Sequence, residues 1–185
     1  MILAIDMGNS NIVVGGLDDN KTYFEERITT DDRKTSLEYA ILLKNILEIH
    51  KVKKNDIEGS IMASVVPPLN APISSAVKKI TGKKPFLVGS GMKTGLNFKM
   101  DNPKTVGGDR IVAAVAANAK YTGQIIIADM GTAATLDVVD HDGNYIGGVI
   151  LPGVKVALNS LVSNTAQLPR ISFDVPKRTI GKNTI

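Results

Sequence analysis

The sequence predicts an α/β protein built from two halves of like design, the second stopping short of the first. Two observations point there. The tripeptide Asp-Met-Gly occurs twice, at Asp6–Gly8 and at Asp129–Gly131, each time between apolar runs rich in β-branched residues. Such runs bounded by Gly read as strand, tight turn, strand. Aligning Asp6 with Asp129 also sets Gly8 over Gly131, Asn9 over Thr132 and Asn11 over Ala134. The second observation is the order of signals after each copy: βββαβαβ in the first half, βββα in the second.

Ile2–Ile5, Asn11–Leu17 and Tyr23–Ile28 read as strands, with the turn cluster Asp18-Asp19-Asn20 between the second and third. Thr29–Asp32 is polar and offers a helix N-cap. Leu37, Ile41, Leu42, Leu43, Ile46, Leu47 and Ile49 then recur at helical spacing, so Ser36–Lys51 is expected as an amphipathic helix. Ile57–Val66 reads as a strand ending at Pro67-Pro68. Leu69–Ile80 reads as a helix stopped near Gly82, and Pro85–Val88 as a short buried strand. Gly89–Asn102, rich in Gly and Lys, is expected to be irregular and to run over a site. Thr105–Tyr121 holds the small-residue run Ile111–Ala119 and reads as a close-packing helix. Strands follow at Gln124–Asp129, Thr132–Asp140 and Tyr145–Ile150, the last two joined by the turn Asp140–Asn144. Val154–Val162 reads as a helix after Pro152-Gly153, and Asn164–Ile185, with Pro169 and Pro176, as loop. A sheet that lacks its later strands leaves unpaired edges and uncovered apolar faces.

The chain has 185 residues, 43% of them hydrophobic, enough for one or two compact cores. It has no Cys, which excludes disulfides and thiolate metal sites. The formal charge is +4, and the basic residues (Lys51, Lys53, Lys54; Lys78, Lys79; Lys83, Lys84) are scattered, with few aromatics beside them. A single-strand nucleic-acid groove would call for stacking aromatics, so no nucleic-acid partner is expected. No apolar stretch has the length of a membrane span, and Met1–Ile5 runs straight into an acid. No membrane partner and no signal peptide are expected, and the location expected is cytoplasmic. His50 and His141 read as solvated side chains and the Met residues as packing.

The chemistry of an Asp-x-Gly hairpin is simple. Gly permits a tight bend and close approach to a ligand. Hydroxyls, amides and backbone N–H groups then face phosphate oxygens, and the acid holds a metal ion or its water. One such turn is equally an ordinary β-hairpin, but two matching copies facing each other would grip a polyphosphate from both sides. Asp101–Arg110, DNPKTVGGDR, is a second constellation. On its local pattern, Asp109 is either a residue of a helix's first turn or a functional acid, and Arg110 either a surface charge or an anion ligand. Gly147–Gly153, GGVILPG, reads as a plain strand-to-helix connection.

DMGNSN, DNPKTVGGDR, DMGTAATLD and GGVILPG together resemble the type III pantothenate kinases, within the superfamily of acetate kinase, sugar kinases, Hsp70 and actin. The resemblance runs from Met1 to Ile185. It implies an actin-like ATPase fold of two ribonuclease-H-like halves: 1–104 with its connecting loop, and 105–185, incomplete at its C-terminal end. It implies ATP-dependent phosphorylation of pantothenate, the entry step of coenzyme A synthesis. ATP would lie on Asp6, Met7, Gly8, Asn9, Ser10, Asn11, Ile12, Val13 and Thr132, with Mg²⁺ held through Asp6 and the phosphates. Asp129 would hold a monovalent cation, K⁺ or NH₄⁺. Gly107, Gly108, Asp109, Arg110 and Thr184 would meet pantothenate, with Asp109 as general base and Arg110 on the carboxylate. Since neither His lies in a motif, a carboxylate is the remaining choice of base. Met100 stands where the family usually carries Tyr; it belongs to the site by position but cannot donate a hydrogen bond. GGVILPG would lie near adenine and ribose, and the family forms homodimers. The alternative is a non-catalytic relative of the same fold that keeps nucleotide binding in an accessory or regulatory role.

Overall fold

A computed structural model of the chain describes residues 1–89, 91–173, 175 and 178–182. Strands β1 (Ile2–Met7), β2 (Asn11–Leu17) and β3 (Thr22–Thr29) form an antiparallel meander. The chain then passes through helix α1 (Ser36–Ile49) to β4 (Gly59–Ser64), which pairs parallel with β1. Helix α2 (Pro67–Thr81) leads to β5 (Phe86–Leu87), parallel to β4, and the sheet order is β3-β2-β1-β4-β5. Hairpin turns give antiparallel neighbours and helical crossovers give parallel ones.

Alternation along β1 sends Leu3, Ile5 and Met7 into the core under α1 and α2, where Leu43, Leu69, Ile73 and Val77 meet them. Helix α1 begins later than the polar run Thr29–Asp32 suggests. Its N-cap is Thr35, in a reciprocal capping box with Glu38. The buried face is Tyr39, Ala40, Leu43, Ile46 and Leu47, whereas Leu37, Ile41 and Ile49 are exposed. Helix α2 starts at Pro67-Pro68 itself, because the first turn has no use for the N–H that Pro lacks. The expected buried strand at Pro85–Val88 is corrected: its ends Pro85 and Val88 are buried, but Phe86 and Leu87, the residues that pair with β4, are exposed, Phe86 to 69%, on the sheet edge. His50 is not simply solvated, since it stacks on Phe24 with centroids 4.6 Å apart and bonds Glu26 at 2.8 Å.

The second sheet has the order β6-β9-β8-β7, from β6 (Asn97–Phe98), β7 (Ile125–Met130), β8 (Ala133–Val139) and β9 (Asn144–Pro152). β7–β8–β9 is a second antiparallel meander, and β6 lies parallel beside β9. The Gly89–Asn102 segment is therefore not wholly irregular, since Asn97–Phe98 joins the second sheet. After β9 comes α4 (Val154–Asn164).

Helix α3 (Gly108–Lys120) is the joint between the sheets. It is shorter than the expected Thr105–Tyr121 because Pro103–Thr105 forms a separate 3₁₀ turn. Its Ile111 and Ala114 pack with Ala63 and Val88 of the first half and with Val139 and Tyr145 of the second. A Cβ on Gly108 would stand 3.2 Å from the Val88 carbonyl and 3.3 Å from the Ser64 nitrogen. Only Gly lets the start of α3 press on the end of β4, and this contact brings the neighbouring Asp109 to the carboxyl end of β1. No helix among the described residues is long and apolar enough to cross a membrane.

Candidate active site

Each Asp-Met-Gly segment is the end of a strand and the start of a turn. In the first, the Gly8 amide donates to the Asn11 carbonyl at 2.9 Å; in the second, the Gly131 amide donates to the Ala133 carbonyl at 3.0 Å. The second turn is one residue shorter, because Met7 pairs with Ile12 but Met130 with Ala134. The ungapped alignment of the two copies thus holds through Gly131 and slips afterwards. Asp6 faces Val13 across its hairpin, and Asp129 faces Thr135.

The turns meet. The hydroxyls of Ser10 and Thr132 lie 2.8 Å apart. Thr30 pins the first turn, its hydroxyl donating to the Gly8 carbonyl at 2.6 Å and its amide to the Ser10 carbonyl at 3.1 Å. The Gly153 amide pins the second by donating to the Thr132 carbonyl at 3.0 Å. A Cβ on Gly153 would overlap that turn's carbonyls, which is a steric reason for the last Gly of GGVILPG.

Between the turns lies a cleft of about 440 Å³. Asp6, Gly8, Asn9, Ser10, Asn11, Val13, Gly107, Asp109, Arg110, Asp129 and Thr132 line it, together with Arg27, Thr105, Thr135 and Ile150. Most of the residues named from sequence are thereby brought together from three separate stretches of chain. Met7 and Ile12 point the other way, into the first core. Gly108 is buried under α3, and Met100 packs against the second core rather than lining the cleft. Thr184 lies outside the described residues.

The cleft gathers the carboxylates of Asp6, Asp109 and Asp129 beside the guanidinium groups of Arg27 and Arg110. Burial raises the Asp6 carboxyl above its ordinary 3.8, the charges of Asp109 and Asp129 raise it further, and Arg27 opposes them. Among the described residues no group of three or more His, Cys, Asp or Glu could hold a metal alone. A Mg²⁺ ion calls for fewer protein ligands, one or two carboxylates with phosphate oxygens and water completing its shell, and Asp6 lines the cleft as such a carboxylate. Asp109 accepts a 2.8 Å bond from the Arg110 amide, so it serves the helix start and faces the cleft at once.

Three residues of this region have no role assigned from the sequence, although Asp137 closes the motif DMGTAATLD. Arg27 is a lone cation in a strand. Asp137 and Tyr145 form a buried cluster with Arg110: the guanidinium Nε donates to Asp137 Oδ1 at 2.9 Å, Nη2 donates to the same oxygen, and so does the Tyr145 hydroxyl at 2.5 Å. Arg110 is therefore no free surface charge. Its pairing with Asp137 raises its pKa, while burial, then the Asp137 bond, pushes the Tyr145 phenol well up. Thr135 presents a buried hydroxyl without a hydrogen-bond partner in the wall beside Asp129.

Two meanders whose turns face each other over a cleft of carboxylates define the actin-like ATPase and sugar-kinase fold. The fold is shared with a Baf family transcriptional activator of Campylobacter jejuni, at a TM-score of 0.52 and 21% identity over 96% of this chain and 69% of that one. It is shared with a 2-dehydro-3-deoxygalactonokinase of Sinorhizobium meliloti, at a TM-score of 0.52 and 14% identity over 91% of this chain and 58% of that one. The particular family is given by sequence: the model of the type III pantothenate kinases matches residues 2–185. Type III pantothenate kinases of Exiguobacterium sibiricum and Finegoldia magna are each 45% identical over all 185 residues, which span 73% and 71% of those proteins. The chain belongs to the type III pantothenate kinase family. That membership sets the kinase reading above that of a non-catalytic relative.

Proposed function

We propose the following division of labour for the family's reaction, the ATP-dependent phosphorylation of pantothenate to 4′-phosphopantothenate that opens coenzyme A biosynthesis. The turns Gly8–Asn11 and Gly131–Ala133 present backbone N–H groups and the Ser10 and Thr132 hydroxyls to the ATP phosphates. Asp6 would hold a Mg²⁺ ion brought with ATP, which would supply charge neutralisation for the transferring group. Asp109 accepts the proton of the pantothenate primary hydroxyl as its oxygen meets the γ-phosphorus. Arg110, through the N–H groups that Asp137 leaves free, holds the pantothenate carboxylate. Gly107 lets the backbone approach the acceptor. Thr184 is assigned to the same acceptor by family resemblance alone.

The observation that carries this reading is the convergence of Asp6, Asp109, Asp129 and Arg110 on one cleft closed by both Asp-Met-Gly turns. A cation at Asp129 belongs to the same reading: carboxylate and hydroxyl oxygens, here those of Asp129 and its neighbour Thr135, suit a hard monovalent ion. A homodimer is assigned by family resemblance alone. The division into 1–104 and 105–185 is read as two halves joined at α3.

The test is a coupled ADP-release assay over a panel of hydroxylated acids and sugars, pantothenate included, with and without K⁺. Pantothenate-dependent ADP release is expected, and release with a sugar alone would overturn the acceptor assignment.

A further inference from the structure

The cluster behind Arg110 joins it to Asp137, the last residue of DMGTAATLD, and to Tyr145, which lies outside the motifs. Asp137 sits on the inward face of β8, two residues from the cleft-lining Thr135, and is 2% exposed. One of its oxygens takes Arg110 Nε, Arg110 Nη2 and the Tyr145 hydroxyl together. The Tyr145 ring is fully buried, tilted against Phe98 at 5.2 Å, with the Arg110 guanidinium 6.0 Å from its centroid. The strand beside the pair is shaped for it. A Cβ on Gly148 would stand 2.7 Å from Asp137 Oδ1 and 2.8 Å from Arg110 Nη2. Asp137 and Gly148 are register partners on β8 and β9.

A guanidinium on a long side chain has many rotamers, and only some aim a free N–H edge at the acceptor's position. A buried ion pair is weak evidence for stability, because desolvation offsets its attraction. Here, though, one edge of the fork is committed to Asp137 while Arg110 lines the cleft, which is the form of a positioning device. Resting on the reading of Arg110 given above, we propose that Asp137 is a positioning residue for pantothenate: it locks the Arg110 guanidinium, with Tyr145 holding the carboxylate and Gly148 leaving it room.

The test is steady-state kinetics of Asp137→Asn, Asp137→Glu, Tyr145→Phe and Arg110→Lys, varying pantothenate and ATP separately, beside calorimetry with a non-hydrolysable ATP analogue. Misplacing a substrate-holding group by about an ångström costs up to ~100-fold. Asp137→Asn is expected to raise the pantothenate KM by about 10- to 100-fold and to leave the affinity for the analogue within about twofold. Tyr145→Phe keeps the buried ring and removes only the third hydrogen bond, so it should shift the same constant in the same direction by less. Asp137→Glu should recover part of the loss if reach to Arg110 is what matters. An unchanged pantothenate KM in Asp137→Asn, with only the melting temperature lowered, makes the cluster structural and overturns the proposal. If Asp137→Asn does not fold, Tyr145→Phe decides by the same criterion. An Arg110→Lys variant with normal pantothenate KM overturns the reading of Arg110 and this proposal with it. Arg110→Lys impaired beside a normal Tyr145→Phe and Asp137→Asn overturns this proposal alone.

Discussion

Asp6 shows what the cleft asks of a single residue. Its carboxyl is raised above 3.8 by burial first and by Asp109 and Asp129 next. A raised carboxyl is protonated more readily in the folded chain than in the unfolded one, so its charge opposes folding. Its contribution to stability is greatest below the ordinary carboxylate pKa and is lost as pH rises through the shifted value. Asp6→Asn should therefore raise the melting temperature of the ligand-free chain at pH 7 by about a degree or two, with the difference closing toward pH 4. The same variant should lose Mg²⁺-ATP turnover. A lowered melting temperature at pH 7 would show that the acid is a structural partner rather than a strained ligand. Asp109 makes the complementary case. Asp109→Asn keeps size and most hydrogen bonding but removes the base, so turnover should drop by on the order of 10²–10⁴. Nucleotide affinity, measured by calorimetry, should hold, because the two turns are untouched. Near-normal turnover would remove Asp109 as the base.

Strand β9 depends on a glycine in a way that its motif alone does not explain. GGVILPG reads as a strand-to-helix connection, and its Gly148 lies where β9 crosses the Arg110–Asp137 pair. A Cβ there would collide with the Leu136 carbonyl, which is backbone and cannot swing away. Gly148→Ala should destabilise by ~1–3 kcal/mol, the usual cost of overpacking, and should also raise the pantothenate KM. Gly89→Ala is the control: a Cβ there meets nothing within 4 Å, so denaturant unfolding should place it within ~0.5 kcal/mol of the parent. Equal effects of the two would mean that the crowding at Gly148 relaxes freely.

Across the whole molecule, the halves meet through α3 on one side of the cleft and through the Ser10–Thr132 contact on the other. A nucleotide that bridges both turns binds only the assembled pair, so it should stabilise the chain as a unit. At 100 times its dissociation constant a ligand adds ~2.7 kcal/mol, or roughly 5–10 °C in melting temperature at this size. Thr132→Val removes one hydroxyl from one turn and should cut that shift by about half or more, since a hydrogen bond to a charged group contributes ~1.5–3 kcal/mol. An unchanged shift would mean that ATP rests on the first turn alone. Turnover should also depend on K⁺ or NH₄⁺, and Asp129→Ala should abolish that dependence along with most of the activity. Full turnover in a buffer with Na⁺ alone would remove the cation from Asp129.

The sequence by itself determined the two meanders and their turns, because period-2 apolar runs, Gly and paired acids are local signals. Asp109 and Arg110 stood out only through the resemblance of Gly-Gly-Asp-Arg to the family's loop, since on the local pattern each also has an ordinary reading. What the sequence left open depends on which face meets which. The exposed Leu37 and Ile41 carry the same apolar signal as the buried Leu43, and only the position of the sheet separates them. The length difference between the turns appears only in strand register, so an ungapped alignment hides it. Arg110 reads as free until Asp137 and Tyr145, far along the chain on two other strands, are folded against it. Burial and charge pairing between distant residues are properties of the tertiary structure, and they set the direction in which Arg110 points.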